Sequence, residues 1–350
     1  MSRAAVAAMT AYTLELREAD TKLNQNENPF DFPVELKQQL ADAIVRRAWN
    51  RYPDFESNAL RSAIASAYGL TTENILVGNG SNELLAAAIG TFVGPGTPVV
   101  IPRPTFTLYE KLVTVAGGSI ISVDIDPRSG LLPLESMLVE GAVVIVCSPN
   151  NPTGGVLPAG GIERLLDCGA TVLFDRAYGD FAGDGAPASA GESPAKAGAP
   201  FSAPHDRLVT FSTFSKAWGL AGLRVGWLAS TAATAREVRK VKLPYSLNIV
   251  SEAAAVMALQ NGQLRDANVA RIVRERDRMF AAMREIVECF PTRANFITFR
   301  TRKPLFEDFC ARGILVRDVS SYCGLAGCLR VSIGTTEDND RFLEALKEIA

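Results

Sequence analysis

The sequence predicts an α/β fold: a large domain built on a mostly parallel, seven-stranded sheet, followed by a smaller α+β domain. Three observations lead there. Short apolar runs rich in β-branched residues alternate with helical patterns from about residue 55 to 245. Several of these runs are apolar throughout, as strands covered on both faces must be. Beyond about Asn248 the pattern changes to one long helical stretch followed by separate short strands.

The strand candidates of the large domain are 75–77, 98–101, 120–123, 143–147, 171–174, 208–211 and 225–228. Helical stretches such as 83–92 and 106–115 lie between many of them. The segment 183–204, rich in Ala, Gly, Ser and Pro without periodicity, is expected to be a surface loop. A long helix is expected over 266–290, strands at 295–299, 314–316 and 329–333, and a closing helix at 338–349. The expected division is an N-terminal arm at 1–45, a large domain at 46–247 and a small domain at 248–350. The arm is expected to pack on the small domain or on a partner subunit.

Composition narrows the function. The 350 residues include 36 Lys and Arg against 38 Asp and Glu, a net charge of -2. That balance argues against nucleic acid or an anionic membrane as the main partner. The six cysteines form no C-x-x-C pair and none lies beside the single histidine, His205, so free thiols are expected and a metal site is not. The first residues lack the apolar core of a signal peptide. The uncharged stretch 84–102 is broken by Gly94-Pro95-Gly96 and divides better into helix, turn and strand than into a membrane span. A soluble, cytoplasmic protein is expected.

The most informative segment is Ser212-Thr213-Phe214-Ser215-Lys216-Ala217-Trp218-Gly219-Leu220-Ala221-Gly222-Leu223-Arg224. One lysine stands among hydroxyls and small residues, with an arginine eight positions on. A lysine that forms an imine needs an uncrowded amine of lowered pKa, because only the neutral amine attacks a carbonyl. The hydroxyls and Arg224 can hold a phosphate. Lys216 therefore reads as the lysine that binds pyridoxal 5′-phosphate.

Three further segments fit the same chemistry, each with a plainer alternative. Val77-Gly78-Asn79-Gly80-Ser81 reads as strand, glycine turn and helix start, where free N–H groups and the helix dipole favour an anion. Ser81 is at least as well explained as an ordinary helix cap. Ser148-Pro149-Asn150-Asn151-Pro152-Thr153-Gly154 follows the strand at 143–147, at the sheet edge where α/β proteins bind ligands. The same residues also make turns with no ligand. Asp175 ends an apolar strand, with Tyr178 three residues on. A carboxylate there could keep a pyridine nitrogen protonated, or it could merely cap the next turn.

Together the four segments resemble the fold type I, aspartate-aminotransferase-like pyridoxal-phosphate enzymes over nearly the whole chain. Within that superfamily the chain is similar to the histidinol-phosphate aminotransferase family. The supporting segments are 23–29 (LNQNENP), 51–54 (RYPD), 78–83 (GNGSNE), 102–106 (PRPTF), 148–154 (SPNNPTG), 215–227 (SKAWGLAGLRVGW), 294–296, 313–318 and 327–335. The resemblance implies histidine biosynthesis, with an amino group passing between a phosphate- or carboxylate-bearing donor, L-histidinol phosphate, and 2-oxoglutarate. It implies that Lys216 anchors the cofactor and carries the proton, and that Asp175 pairs with the pyridine nitrogen. Asn151 and Tyr178 are implied at the ring hydroxyl and Tyr109 stacked on the ring. Gly80, Ser81, Thr213, Ser215 and Arg224 are implied at the cofactor phosphate. Arg317, Arg330 and Asn28 are implied at the substrate. Tyr52 is implied to reach the cofactor of a neighbouring subunit, which makes the protein a homodimer with shared sites. A threonine-phosphate decarboxylase or an aromatic amino-acid aminotransferase would share these features. The chain departs from the pattern at Arg176, where a glutamate is usual, in the long 183–204 segment, and at 28–33.

Overall fold

The computed structural model describes residues 2–11, 17–183 and 204–350. The Ala/Gly/Pro segment expected as a surface loop lies, but for its two ends, outside the described residues. The arm carries a short helix α1 (Ala4–Ala7), strand β1 (Thr21–Lys22) and helix α2 (Val34–Val45). The large sheet contains β2 (Ile75–Asn79), β3 (Pro98–Arg103), β4 (Ser119–Asp124), β5 (Val143–Cys147), β6 (Thr171–Asp175), β7 (Leu208–Thr213) and β8 (Val225–Ala229). Its order is β2-β8-β7-β6-β5-β3-β4, and β8 runs antiparallel to both neighbours while the others are parallel.

Alternation along the strands explains the layers. In β5, Val143, Ile145 and Cys147 join one apolar cluster, and Val144 and Val146 join another on the opposite face. The first face is covered by α4 (Ser81–Phe92), α5 (Leu108–Ala116) and α8 (Ala232–Val241), through buried residues such as Leu84, Ile89, Val113 and Val238. The second is covered by α3 (Asn58–Tyr68), α6 (Leu134–Met137), α7 (Gly161–Asp167) and α9 (Ile249–Gln260). Because both faces are covered, β5 is apolar at every position.

The smaller domain has a four-stranded antiparallel sheet, β12-β13-β10-β9, made of β9 (Glu288–Cys289), β10 (Phe296–Arg300), β12 (Arg317–Asp318) and β13 (Cys328–Ser332). Two long helices, α10 (Gly262–Met283) and α12 (Thr336–Ile349), flank it, with the short α11 (Phe306–Ala311) between. Thr335 and Asp338 form a reciprocal cap at the start of α12. Strand β11 (Ile314–Leu315) does not join that sheet; it pairs in parallel with β1 of the arm. Phe296, Phe299, Val331 and Phe342 belong to the same apolar cluster as one face of the large sheet, so the two domains share a core.

Helix α9 differs from the sequence expectation. It begins after position 248, yet its Ala254, Ala255 and Ala258 pack with Leu60, Ile64 and Trp227 of the large domain. Its small side chains let it lie close against α3, and only at α10 does the chain turn to the smaller sheet.

Candidate active site

The antiparallel β8 brings an unusual number of chain ends to one edge of the sheet. Asn79 at the end of β2 is paired with Val225 at the start of β8, and Thr213 at the end of β7 with Gly226. Cys147 and Asp175, the last residues of β5 and β6, are paired beside them. A cavity of about 460 Å³ opens there, between this edge and β12–β13 of the smaller domain. In sheet order its lining runs from an anion cradle, past an amine, to a carboxylate.

The cradle is made by the start of α4 and the turn before β8. Ser81 is the first residue of a twelve-residue helix, whose opening N–H groups and dipole attract an anion. Two glycines keep the approach open. A Cβ at Gly80, where φ is +74°, would stand 2.7 Å from Arg224 Nη2, and one at Gly226 would stand 2.1 Å from the Ser81 backbone nitrogen. Arg224, itself left-handed at φ 54°, donates through Nη1 to Ser215 Oγ and Ala221 O, each at 3.1 Å. Among the described residues no carboxylate pairs with it, so its charge awaits an anion. Thr213 also lines the cavity. Its hydroxyl donates to Val225 O at 3.2 Å and accepts from the Ser215 N–H at 3.1 Å, so it braces the turn and has no proton left for a phosphate.

Asp175 lies at the opposite end and is 7% exposed. Burial pushes its carboxyl above the usual range, against hydrogen bonds from Tyr109 Oη at 2.7 Å and the Ala177 N–H at 2.9 Å. Tyr109 was expected to stack on a ring. It lines the cavity, and its buried hydroxyl donates to Asp175, because burial keeps the phenol protonated and the carboxylate is its acceptor.

Lys216 stands between the two ends. Its Nζ donates to Gln25 O at 2.9 Å and lies 5.8 Å from the centre of the Tyr178 ring. Its pKa falls from 10.5 to about 7, chiefly through enclosure and then through the cation Arg330, with Glu27 opposing and Arg224 and Lys22 adding smaller pushes downward. Asn151 Oδ1 accepts from Arg330 Nη1, and among the described residues Asn151 Nδ2 has no hydrogen-bond partner. Tyr178 Oη accepts from Asn26 Nδ2 at 3.0 Å.

The far wall carries the cations. Arg317 on β12 is directly opposite Arg330 on β13, so both side chains leave the same face of the sheet. Arg330 also donates through Nη2 to Asn24 O at 2.9 Å and lies over the Phe296 ring. Among the described residues Arg317 meets no carboxylate, and Tyr322 lines the cavity beside it. Two guanidiniums side by side repel each other unless an anion sits between them.

Of the positions singled out in the sequence, Asn28, Tyr52 and Arg176 stand away from this cavity. Asn28 spends its carboxamide on Ala217 O and the Phe30 N–H, both at 3.0 Å, and so clamps the lysine segment. Tyr52 is 82% exposed and stacked on Tyr245, beside the exposed Phe55 and Leu243. Arg176 acts on the neighbouring Asp180, so the change from glutamate leaves the cavity wall untouched. Conversely, the main chain of 24–26 was not read as part of the site. Carbonyl groups carry no signal in residue identity, although Asn26 does, since asparagine tolerates the left-handed φ of 53° found there.

Comparison with known proteins adds to this geometry. The family described as aminotransferase class I and II matches residues 18–346. A histidinol-phosphate aminotransferase of Aquifex aeolicus is 36% identical over 353 residues, covering 97% of this chain and 95% of that protein. Another, of Thermococcus gammatolerans, is 35% identical over 333 residues, covering 94% and 92%. The crystal structure of the histidinol-phosphate aminotransferase of Sinorhizobium meliloti in complex with pyridoxal-5′-phosphate has the same fold, with a TM-score of 0.81 at 24% identity, covering 95% of this chain and 93% of that one.

Proposed function

Since this chain belongs to the class I and II aminotransferases, whose cofactor is pyridoxal 5′-phosphate, we propose that it exchanges the amino group between L-histidinol phosphate and 2-oxoglutarate. The cavity fits the cofactor. The glycine-lined cradle with Arg224 suits a phosphate, Asp175 suits a protonated ring nitrogen, and the Lys216 amine lies between. That amine, brought by enclosure to a pKa near 7 while flanked by a cradle and a buried carboxylate, is the observation that carries the reading.

When bound, pyridoxal phosphate supplies an electron sink for the pair left as the substrate α-C–H bond breaks. The protein supplies the rest. Arg224, Ser215 and the first N–H groups of α4 hold the phosphate. Asp175 holds a proton on the ring nitrogen, and its two hydrogen bonds keep it oriented for that task. Asn151 and Tyr178 donate at the ring oxygen. Lys216 would anchor the cofactor, and its amine, once free, would be the base that takes the α-proton. Arg317 and Arg330 bind the anionic end of the substrate. Two guanidinium forks match a dianionic phosphate ester better than a single carboxylate does.

The exposed aromatic patch around Tyr52 is covered by a second copy, which lets Tyr52 reach the partner's cofactor phosphate. Light scattering of the cofactor-loaded protein reads a dimer; a monomer removes the shared site. No helix among the described residues is long and apolar enough to cross a membrane. With its near-neutral charge, a cytoplasmic place for the enzyme follows from the proposed biosynthetic role.

The test is the absorbance of the cofactor-loaded protein. Addition of L-histidinol phosphate is expected to convert the cofactor band to that of pyridoxamine phosphate, and 2-oxoglutarate to restore it. A band unchanged by histidinol phosphate but altered by phenylalanine or threonine phosphate removes the proposed donor. Release of carbon dioxide marks a decarboxylase instead.

Arg317→Ala is expected to lower kcat/KM for histidinol phosphate by about 10- to 100-fold, the worth of a charge-assisted hydrogen bond. The loss for an uncharged aromatic donor should be smaller. Equal losses for both donors would place Arg317 outside phosphate recognition.

A further inference from the structure

Tyr178 and Lys216 both meet the segment 24–26, which crosses between the two domains. Its successive carbonyls are all taken. Arg330 Nη2 donates to Asn24 O at 2.9 Å, Lys216 Nζ to Gln25 O at 2.9 Å, and Asn295 Nδ2 to Asn26 O at 3.1 Å. Asn26 is the centre of this strap. It is 1% exposed and left-handed. Its N–H donates to Ser332 Oγ at 2.8 Å, which leaves the Ser332 proton for Asn26 Oδ1, 3.1 Å away. The oxygen end of the carboxamide is thereby assigned, and the nitrogen end faces Tyr178, donating to its Oη at 3.0 Å.

A phenol has one proton. With Asn26 donating to its oxygen, Tyr178 must direct that proton elsewhere, and among the described residues no acceptor lies within hydrogen-bond reach of it. Phe296 packs edge-on against the ring, 5.2 Å between centres, so packing as well as hydrogen bonding holds the ring in place. The cavity is where an acceptor can arrive.

We infer that Asn26 is a positioning residue: by donating to the Tyr178 oxygen it makes Tyr178 a hydrogen-bond donor to the cofactor's ring oxygen. The inference rests on the cofactor reading above. Burial keeps Tyr178 a neutral phenol, so it can serve only as donor toward an ionised ring oxygen. A donor there shares the negative charge that otherwise retains the proton on the lysine-linked nitrogen, so that proton leaves at lower pH. The charged and titratable groups facing Tyr178 are Arg330, Lys216, Asp175 and Cys147. Those facing Lys216 are Arg330, Arg224, Glu27 and Lys22. A substitution at position 26 removes none of them.

The experiment is a pH titration of the absorbance of the cofactor-loaded protein. Asn26→Gly keeps the left-handed backbone and removes only the amide. The midpoint of the cofactor band is expected to rise by about 0.5–1 pH unit. In a Tyr178→Phe background the same substitution is expected to move nothing further. Ser332→Ala, which frees the carboxamide to turn, should give a smaller rise and provides the reading if Asn26→Gly does not fold. An unchanged midpoint in the folded variant, or an equal shift without the Tyr178 hydroxyl, overturns the proposal. A wild-type protein that forms no lysine-linked band at all refutes the cofactor reading instead.

Discussion

Lys216→Ala is expected to lower turnover by at least about 10⁴-fold, because in the proposed reaction one side chain supplies both the covalent anchor and the base. The fold should survive. Among the described residues the Lys216 amine makes a single hydrogen bond, to Gln25 O, and its burial as a cation is unfavourable. The melting temperature of the cofactor-free variant is therefore expected to match or exceed that of the wild type. The wild-type amine carries a second expectation. Its pKa falls from 10.5 to about 7, so the neutral form predominates above that pH. The rate of cofactor capture should rise through pH 7 and then level, whereas an exposed lysine would still be gaining reactivity near pH 10. Turnover within tenfold of wild type in Lys216→Ala, or a capture rate that climbs until pH 10, would refute the assignment.

The second large effect belongs to Asp175. Asp175→Asn retains the shape and a hydrogen-bond acceptor but removes the charge proposed to hold a proton on the ring nitrogen. A buried ion pair broken on one side costs about 3–5 kcal/mol, so kcat is expected to fall by about 10²- to 10³-fold. Stability should move the other way. The carboxyl has a raised pKa in the fold, so the folded state binds more protons than the unfolded chain above the ordinary value of 3.8. Stability is therefore lost as pH rises through that window, and an uncharged amide does not incur the loss. The cofactor-free Asp175→Asn protein is expected to melt no lower than wild type at pH 7.5. A clear drop in melting temperature would mean that Asp175 is mainly structural.

Much of the architecture was legible because it follows from one-dimensional periodicity. All seven strands of the large sheet were placed, since runs such as Val143–Cys147 are apolar at every position and can only be buried on both faces. Its breadth was legible; the reversal of β8 was not, because strand direction leaves no mark on composition. The reversal matters, since it brings Arg224 and Gly226 beside Ser81. The alanine-rich α9 was assigned to the wrong side of the chain's change in pattern. Small residues pack equally well against either domain, so its partner is decided by where the chain can reach.

The site divides in the same way. Residue types alone determined that a lysine among hydroxyls, a strand-end aspartate, a glycine turn and paired arginines were present, because each type has few chemical uses. Which groups are free was decided only in three dimensions. Thr213 gives its proton to Val225 O, Asn28 clamps the lysine segment, and Tyr109 aims at Asp175. Hydrogen-bond capacity is finite, and its allocation depends on neighbours that lie far apart in the chain. Asn26 and Ser332 stand 306 positions apart and meet at 2.8 Å. The sequence by itself determined the chemistry available to this protein; the tertiary structure decided which protons and lone pairs remained to perform it.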